Sequence, residues 1–321
     1  MFYIFLNTYL FHLGRWETKM TTTPVELIIY GTRGGCPRDT PEYTQFGLGT
    51  SSYTLRHGNI VHFLDAGTSV ERAMREQLTP DIEKAYLELT HGHVDHMYMG
   101  CTDQIYGNKI PGGIRVIGYA ETVAALRQLF DNERLWPVPQ SNLQGLSTDI
   151  MELQGGETVY NSGYTIRTHQ NYHPSKGMGG SIGFRFDITK SKDEKVSVAY
   201  TTDLEFDFKP GMQVQENAAE LKRNYQKFIA GADVLLVDTE HTKEEYFETK
   251  PFVRGWGHPY LEQIIELAGE AKVKHIIGTH HNKKHTDEML TRIEQWGREY
   301  ARANGFTGEV NLARSGMRIS L

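Results

Sequence analysis

The string THGHVDH, Thr90–His96, closes the apolar run AYLELT (Ala85–Thr90). On an extended backbone alternate side chains share a face, so His91 and His93 point the same way and can bind one metal ion together. Asp95 and His96 then fall in the following turn, where they can face a neighbouring ion. Neutral imidazoles and a carboxylate suit zinc or a similar borderline divalent ion. A chance run of surface histidines does not explain four ligand-type side chains within six residues at the end of an apolar strand. The chain has fourteen histidines, and this clustering says more than their number.

The elements that must position these groups alternate along the chain. VELIIYG (Val25–Gly31), TSSYTLR (Thr50–Arg56) and NIVHFLD (Asn59–Asp65) read as strands separated by glycine-containing turns. Thr68–Leu78 has helical spacing, and Ala85–Thr90 reads as a buried strand. Gly113–Tyr119 and Glu121–Phe130 form a strand–helix pair. In the second half, strands are expected at Thr158–Tyr160, Tyr164–His169, Ser181–Ile188, Val196–Thr201, Asp233–Asp238, His275–Thr279, Glu309–Leu312 and Met317–Leu321. Helices are expected at Glu216–Ile229, Tyr260–Ala271 and Thr286–Asn304. Each half thus yields a mixed sheet with helices, as two sheets stacked between helices would require. No linker separates the halves, and Leu135–Ser147, with Trp136, Pro137 and Pro139, suits a loop over a site.

Composition narrows the class. The 321 residues are 39% hydrophobic with a net charge of −6, so general nucleic-acid binding through a basic surface is not expected. Cys36 and Cys101 form neither a disulfide framework nor a CxxC site, which points to the reducing cytoplasm. The apolar part of Met1–Lys19 is too short to span a membrane and lacks the basic start and cleavage site of a signal peptide. With Met20 standing just before the first strand, residues 1–20 read as a disordered extension or a mis-assigned start. Residues 21–321 read as one domain.

HxHxDH after a strand resembles the signature of metallo-β-lactamase-fold hydrolases. The resemblance implies an α/β fold, a four-layer αββα sandwich, and two divalent metal ions, zinc first with manganese or iron as alternatives. In that family a later His, an Asp and a final His complete the site. His173 in QNYHPS, Asp203 in VAYTTDLE and His280 in IIGTHH stand in that order. By resemblance, His91, His93 and His173 hold one ion, Asp95, His96 and His280 the other, and Asp203 bridges them. His169 competes with His173, and His281 and His285 with His280; His281 and His285 are expected to be supporting or surface groups. Asp65, in FLDAG, resembles a family carboxylate that orients ligands without binding metal.

YGTRGGCP (Tyr30–Pro37), FGLGTSSY (Phe46–Tyr53), YTTDLE, ADVLLVDTEHTKEEY, GWGHPYLEQ and IIGTHHNKKHTDE resemble the RNase Z-like and cyclic-phosphodiesterase-like branch. Leu48, Thr50, Gly92, Val94 and Pro259 depart from its pattern without removing a ligand. The likeness implies attack on a phosphodiester by a hydroxide bridging the two ions, oriented by Asp95 and Asp203. His258 would stabilise the transition state or protonate the leaving group, although Pro259 also lets it be an ordinary helix-start residue. Arg33, Arg254 and the loops Gly31–Gly35 and Gly177–Gly183 are candidate phosphate contacts, and tight turns explain the glycines equally well. A small-molecule phosphodiester, a cyclic nucleotide first, is the expected substrate; a homodimer is left open. The alternatives are a lactone, lactam or thioester hydrolase on the same metals, an RNase Z-like endoribonuclease, and a non-catalytic metal-binding nucleotide sensor.

Overall fold

The computed structural model describes residues 22–98, 103–105, 107, 110–132, 134, 145–147, 149–173, 180–207, 218–250 and 253–321. The extension 1–20, Cys101, Gly177, Gly179 and the 135–147 loop up to residue 144 lie outside them. Among the described residues fourteen strands form two sheets of seven. The first sheet holds β1 (Val25–Gly31), β2 (Ser52–His57), β3 (Ile60–Leu64), β4 (Lys84–Leu89), β5 (Arg115–Tyr119) and β6 (Met151–Leu153) in sequence order. The second runs from β7 (Thr158–Asn161) through β8 (Tyr164–Asn171), β9 (Ser181–Thr189), β10 (Lys195–Thr201), β11 (Val234–Asp238) and β12 (His275–Thr279) to β13 (Glu309–Leu312). The chain then returns to the first sheet, where β14 (Arg318–Ser320) pairs with β1.

Each sheet is a run of antiparallel pairs that turns parallel partway. The change comes at β3–β4 in the first sheet and at β10–β11 in the second. The parallel strands are nearly continuous apolar runs because both faces are covered. In VLLVD, Val234 and Leu236 enter the core between the sheets, while Leu235 and Val237 meet the outer helices. In β1, Leu27 and Ile29 face inward and Ile28 and Tyr30 outward.

The helices complete four layers. α1 (Val70–Gln77) and α2 (Ala120–Phe130) cover the first sheet through Val70, Met74, Leu126 and Phe130. α3 (Ala218–Ile229), α5 (Leu261–Glu270) and α6 (Asp287–Ala303) cover the second through Tyr225, Ile229, Leu261, Ile264 and Ala301. The expected αββα sandwich is what the chain forms. Two described elements are additional to those expected: the short strand β6 and α4 (Lys243–Glu248). α4 is started by a capping box in which Thr242 and Glu245 each satisfy the other's backbone N–H. No helix among the described residues is long and apolar enough to cross a membrane.

Candidate metal centre

The carboxyl ends of β3, β4, β8, β10, β11 and β12 supply the site; all but β8 lie where the sheets run parallel, and strand ends there are expected to open onto one crevice. Asp65 follows β3, His91–His96 follow β4, His173 follows β8, Asp203 follows β10, and His280 follows β12. Three of these residues, Asp65, Asp203 and His280, have φ of 57°, 52° and 58°. Non-glycine residues in this left-handed region are strained and concentrate at functional sites.

Three overlapping donor groups result: His91, His93 and His173 with Asp203; Asp95, His96 and His280, with Asp203 beside them; and Asp203, Asp238, His258 and His280. In the first, His93 Nδ1 and His173 Nε2 lie 3.4 Å apart, and Asp203 Oδ1 lies 3.7 Å from His91 Nε2 and 3.8 Å from His173 Nε2. In the second, His96 Nε2 lies 3.3 Å from Asp95 Oδ2, 3.2 Å from Asp203 Oδ2 and 3.3 Å from His280 Nε2. His280 Nε2 lies 3.4 Å from both of those carboxylate oxygens. Donors about 2.1 Å from one tetrahedral ion stand about 3.4 Å from each other. The second group already has those edges. One oxygen of Asp203 faces each of these two groups.

Orphaned atoms support the same fit: His91 Nε2 is buried with no hydrogen-bond partner. Away from the donor groups, three of the other ring nitrogens are held by oxygens. His91 Nδ1 lies 3.1 Å from Thr90 Oγ1, and His96 Nδ1 2.7 Å from Asp65 Oδ2. His173 Nδ1 donates to the Gly257 carbonyl at 3.2 Å, whereas His280 Nδ1 is buried 3.3 Å from Glu240 Oε2 without a hydrogen-bond partner. Such partners fix the tautomer and aim the metal-facing nitrogen. Asp65 also accepts from the Thr90 amide and the Tyr200 hydroxyl, so it orients as the motif implied.

The electrostatics of the first two groups differ. Burial holds the His91 and His93 imidazoles below their usual pKa and brings His173 down to about 4, so all three are neutral donors. Burial also opposes charge on His96 and His280, but Asp95, Asp203 and Asp65 around His96, and Asp203 and Asp238 around His280, outweigh it and raise both. A pocket that draws protons onto two imidazoles is one whose negative potential a divalent cation would satisfy.

His258 comes from the segment between α4 and α5 and stands beside this centre, its Nδ1 3.8 Å from Asp203 Oδ1. The same nitrogen lies 2.8 Å from Asp238 Oδ2 and 3.3 Å from Glu240 Oε2. Burial would lower its pKa, but Glu240 and Asp238 overcome that and lift it to about 10. Asp238 and Glu240 escaped the sequence reading. Their signal was a pair of carboxylates at the end of an apolar strand, in the position Asp203 occupies one strand earlier.

Other candidates fall away from the centre. Arg33 is buried and donates to the carbonyls of Gly47, His285 and Tyr43, bracing the fold; it offers nothing to a phosphate. Arg254 turns to the Asp207 carbonyl and lies over Phe247. In the Gly31–Gly35 loop, Gly34 packs where a Cβ would strike the His280 ring, and the Gly35 amide donates to Asp95 Oδ2 at 2.7 Å. That loop serves the ligands. His169 stacks on Phe228. His281 bonds the Ala313 carbonyl and His285 bonds Glu245; both are buried and neither is a surface group.

A family model, the beta-lactamase superfamily domain, matches residues 63–281, which include all seven expected ligands. A ribonuclease Z of Streptomyces coelicolor is 22% identical over 315 residues, covering 92% of this chain and 97% of that one. Unliganded yeast PDE1 superposes with a TM-score of 0.66 at 15% identity, over 93% of this chain and 100% of that one. A diphosphatase of the PhnP family gives 0.61 at 18% identity, over 92% and 98%. With both sheets, the donor groups and the family match in agreement, the chain belongs to the β-lactamase superfamily and is a metallo-β-lactamase-fold hydrolase.

Proposed function

We propose that the chain is a phosphodiesterase using two divalent ions, zinc first, and acting on small phosphodiesters such as cyclic nucleotides. The observation that carries this reading is the pair of donor groups joined through Asp203, with His258 beside them on Asp238 and Glu240. His91, His93 and His173 would hold one ion, and Asp95, His96 and His280 the other. Bound there, two ions supply a nucleophile at neutral pH and Lewis acidity toward a phosphoryl oxygen.

The chain's own residues do the rest. Asp203 fixes the separation of the two sites by presenting one oxygen to each. Asp95, pinned by the Gly35 amide, and Asp203 orient the attacking water. Asp238 and Glu240 keep the His258 imidazole in its cationic form. Its ring then stabilises charge growing on the phosphoryl group or gives a proton to the departing oxygen. The cavity in front, about 420 Å³, suits a nucleotide-sized ligand more than a folded RNA. The net charge of −6 also weighs against a polynucleotide, and the exposed free thiol of Cys36 is in keeping with a cytoplasmic setting.

The test is a substrate panel on the metal-loaded chain: bis(p-nitrophenyl) phosphate, cyclic mononucleotides, a precursor tRNA, lactams, lactones and thioesters. Phosphodiester turnover, lost on chelation and regained with added zinc or manganese, is the expected result. A lactone or thioester turned over far better than every phosphodiester would overturn the assignment, and efficient trimming of the tRNA would move it to the ribonuclease.

A further inference from the structure

Three residues at the mouth of the same cavity take no part in the donor groups: Trp256, Lys283 and Lys284. Single exposed apolar side chains are ordinary, so the 52% exposure of Trp256 means little by itself. The turn that carries it is unusual. Gly255 and Gly257 flank it with φ of 88° and 95°, a conformation suited to glycine. Both of their amides donate to one carboxylate, Gly255 N–H to Glu205 Oε1 at 2.6 Å and Gly257 N–H to Glu205 Oε2 at 2.9 Å. Glu205 is buried and also accepts from the Tyr246 hydroxyl. The Gly257 carbonyl in turn receives His173 Nδ1–H. The indole is therefore held out from a turn locked to the metal-centre framework, two residues before His258. A backbone fixed in advance gives up little freedom when a ligand meets the side chain that it carries.

Lys283 and Lys284 follow His280 closely and are exposed, and among the described residues neither forms an ion pair. They are the lysines in a cavity wall otherwise rich in carboxylates: Asp95, Asp203 and Glu240.

We propose that Trp256 is a preformed stacking platform for the nucleobase of the substrate, and that Lys283 and Lys284 draw its anionic phosphate to the cavity mouth. The proposal rests on the phosphodiesterase reading and narrows it to substrates that carry a planar aromatic ring. Base–aromatic stacking changes affinity by roughly tenfold, and exposed lysines act through a field that salt screens.

The experiment compares 3′,5′-cyclic AMP with the same cyclic ribose phosphate bearing a methyl group in place of the base, on the metal-loaded full chain. Trp256→Ala should raise KM for cyclic AMP about tenfold and leave kcat, metal content and the base-free substrate unchanged. Trp256→Phe should restore most of the loss. Lys283→Ala with Lys284→Ala should raise KM for both substrates, more at low salt than at high. Equilibrium dialysis of 5′-AMP against ribose 5-phosphate provides a readout independent of turnover: wild type should prefer AMP, and Trp256→Ala should lose that preference. Equal KM changes for both substrates, or no preference for AMP in wild type, would overturn the platform. If no phosphodiester is cleaved at all, the phosphodiesterase reading falls, and the dialysis result alone decides whether Trp256 binds an aromatic ring.

Discussion

The two donor groups joined through Asp203 are built differently. Contacts within the Asp95–His96–His280–Asp203 group span 3.2–3.4 Å, whereas those among His91, His93, His173 and Asp203 span 3.4–3.8 Å. The tighter group is flanked by acids and a backbone amide: Asp65 bonded to His96, Glu240 3.3 Å from His280, and Gly35 N–H bonded to Asp95. The looser one is set by neutral oxygens, Thr90 Oγ1 and the Gly257 carbonyl. A carboxylate on the far nitrogen makes an imidazole a stronger base and a better ligand. The comparison teaches that, on the two-ion proposal, the two groups should differ in affinity, with the tighter group filling first.

The largest effect is expected where the groups meet. Asp203→Asn keeps the left-handed backbone, which Asn tolerates, and removes the charge that faces both donor groups. Metal content should fall below one ion per chain, with phosphodiester turnover at background. Elemental analysis finding two ions in an active Asp203→Asn variant would end the idea of a shared bridge.

His258→Ala comes next, because it should spare both groups. Loss of one transition-state donor commonly lowers kcat on the order of a hundredfold. Two ions per chain and an unshifted melting curve should accompany that loss. A change confined to stability, with kcat near wild type, would reduce His258 to a helix-start residue.

Asp65→Asn separates the groups. Losing an orienting carboxylate typically weakens metal binding about 10- to 100-fold, and here the loss should fall mainly on the tighter group, because Asp65 bonds His96 directly and reaches His91 only through the Thr90 hydroxyl. Titration against a competing chelator, which should show two unequal steps in wild type, would then show the steps converging. Equal weakening of both steps would mean that the comparison between the groups is wrong.

The two halves of the chain differ in the same way in how far they could be read. His91–His96 was legible because two-residue alternation puts two imidazoles on one face, and the helices announced themselves by their spacing. His173, Asp203 and His280 carry no such local pattern. They were found through resemblance, and what unites them is the register of β8, β10 and β12. Asp238, Glu240 and Glu205 were missed because each acts through a neighbour brought in by tertiary contact: His258 and His280, or the Gly255–Gly257 turn. Arg33 stayed open for the complementary reason, since a charged residue in a glycine-rich loop looks like an anion contact until its carbonyl partners are seen. α4 was missed although Thr242 and Glu245 spell a capping box.

A second buried polar cluster, between the sheets and apart from the metal centre, gives the smallest and most specific prediction. His57 Nε2 lies 3.1 Å from His62 Nε2, and His62 Nδ1 lies 2.6 Å from Glu88 Oε1. Burial pushes both histidines down to about 3 and raises the Glu88 carboxyl well above its usual value. Unfolded histidines take up protons below about pH 6.5 while the folded pair stays neutral, so stability from the pair is lost as pH falls from 6.5 toward 3. Glu88 has the opposite sign. Its unfolded form ionises above about pH 4.5 while the folded form keeps its proton, so its contribution declines as pH rises toward its folded pKa. Together they place the cluster's best stability near pH 6.5. Glu88→Gln removes only the alkaline decline, since an amide does not titrate. Denaturant midpoints at pH 5, 6.5 and 8 should therefore give a variant-minus-wild-type difference that grows with pH above 6.5, by at most about 1.4 kcal/mol per pH unit for one proton. Other titrating groups cancel in that difference. A difference that is flat or shrinks between pH 6.5 and 8 would show that Glu88 is ionised in the folded chain and paired with a charged His62.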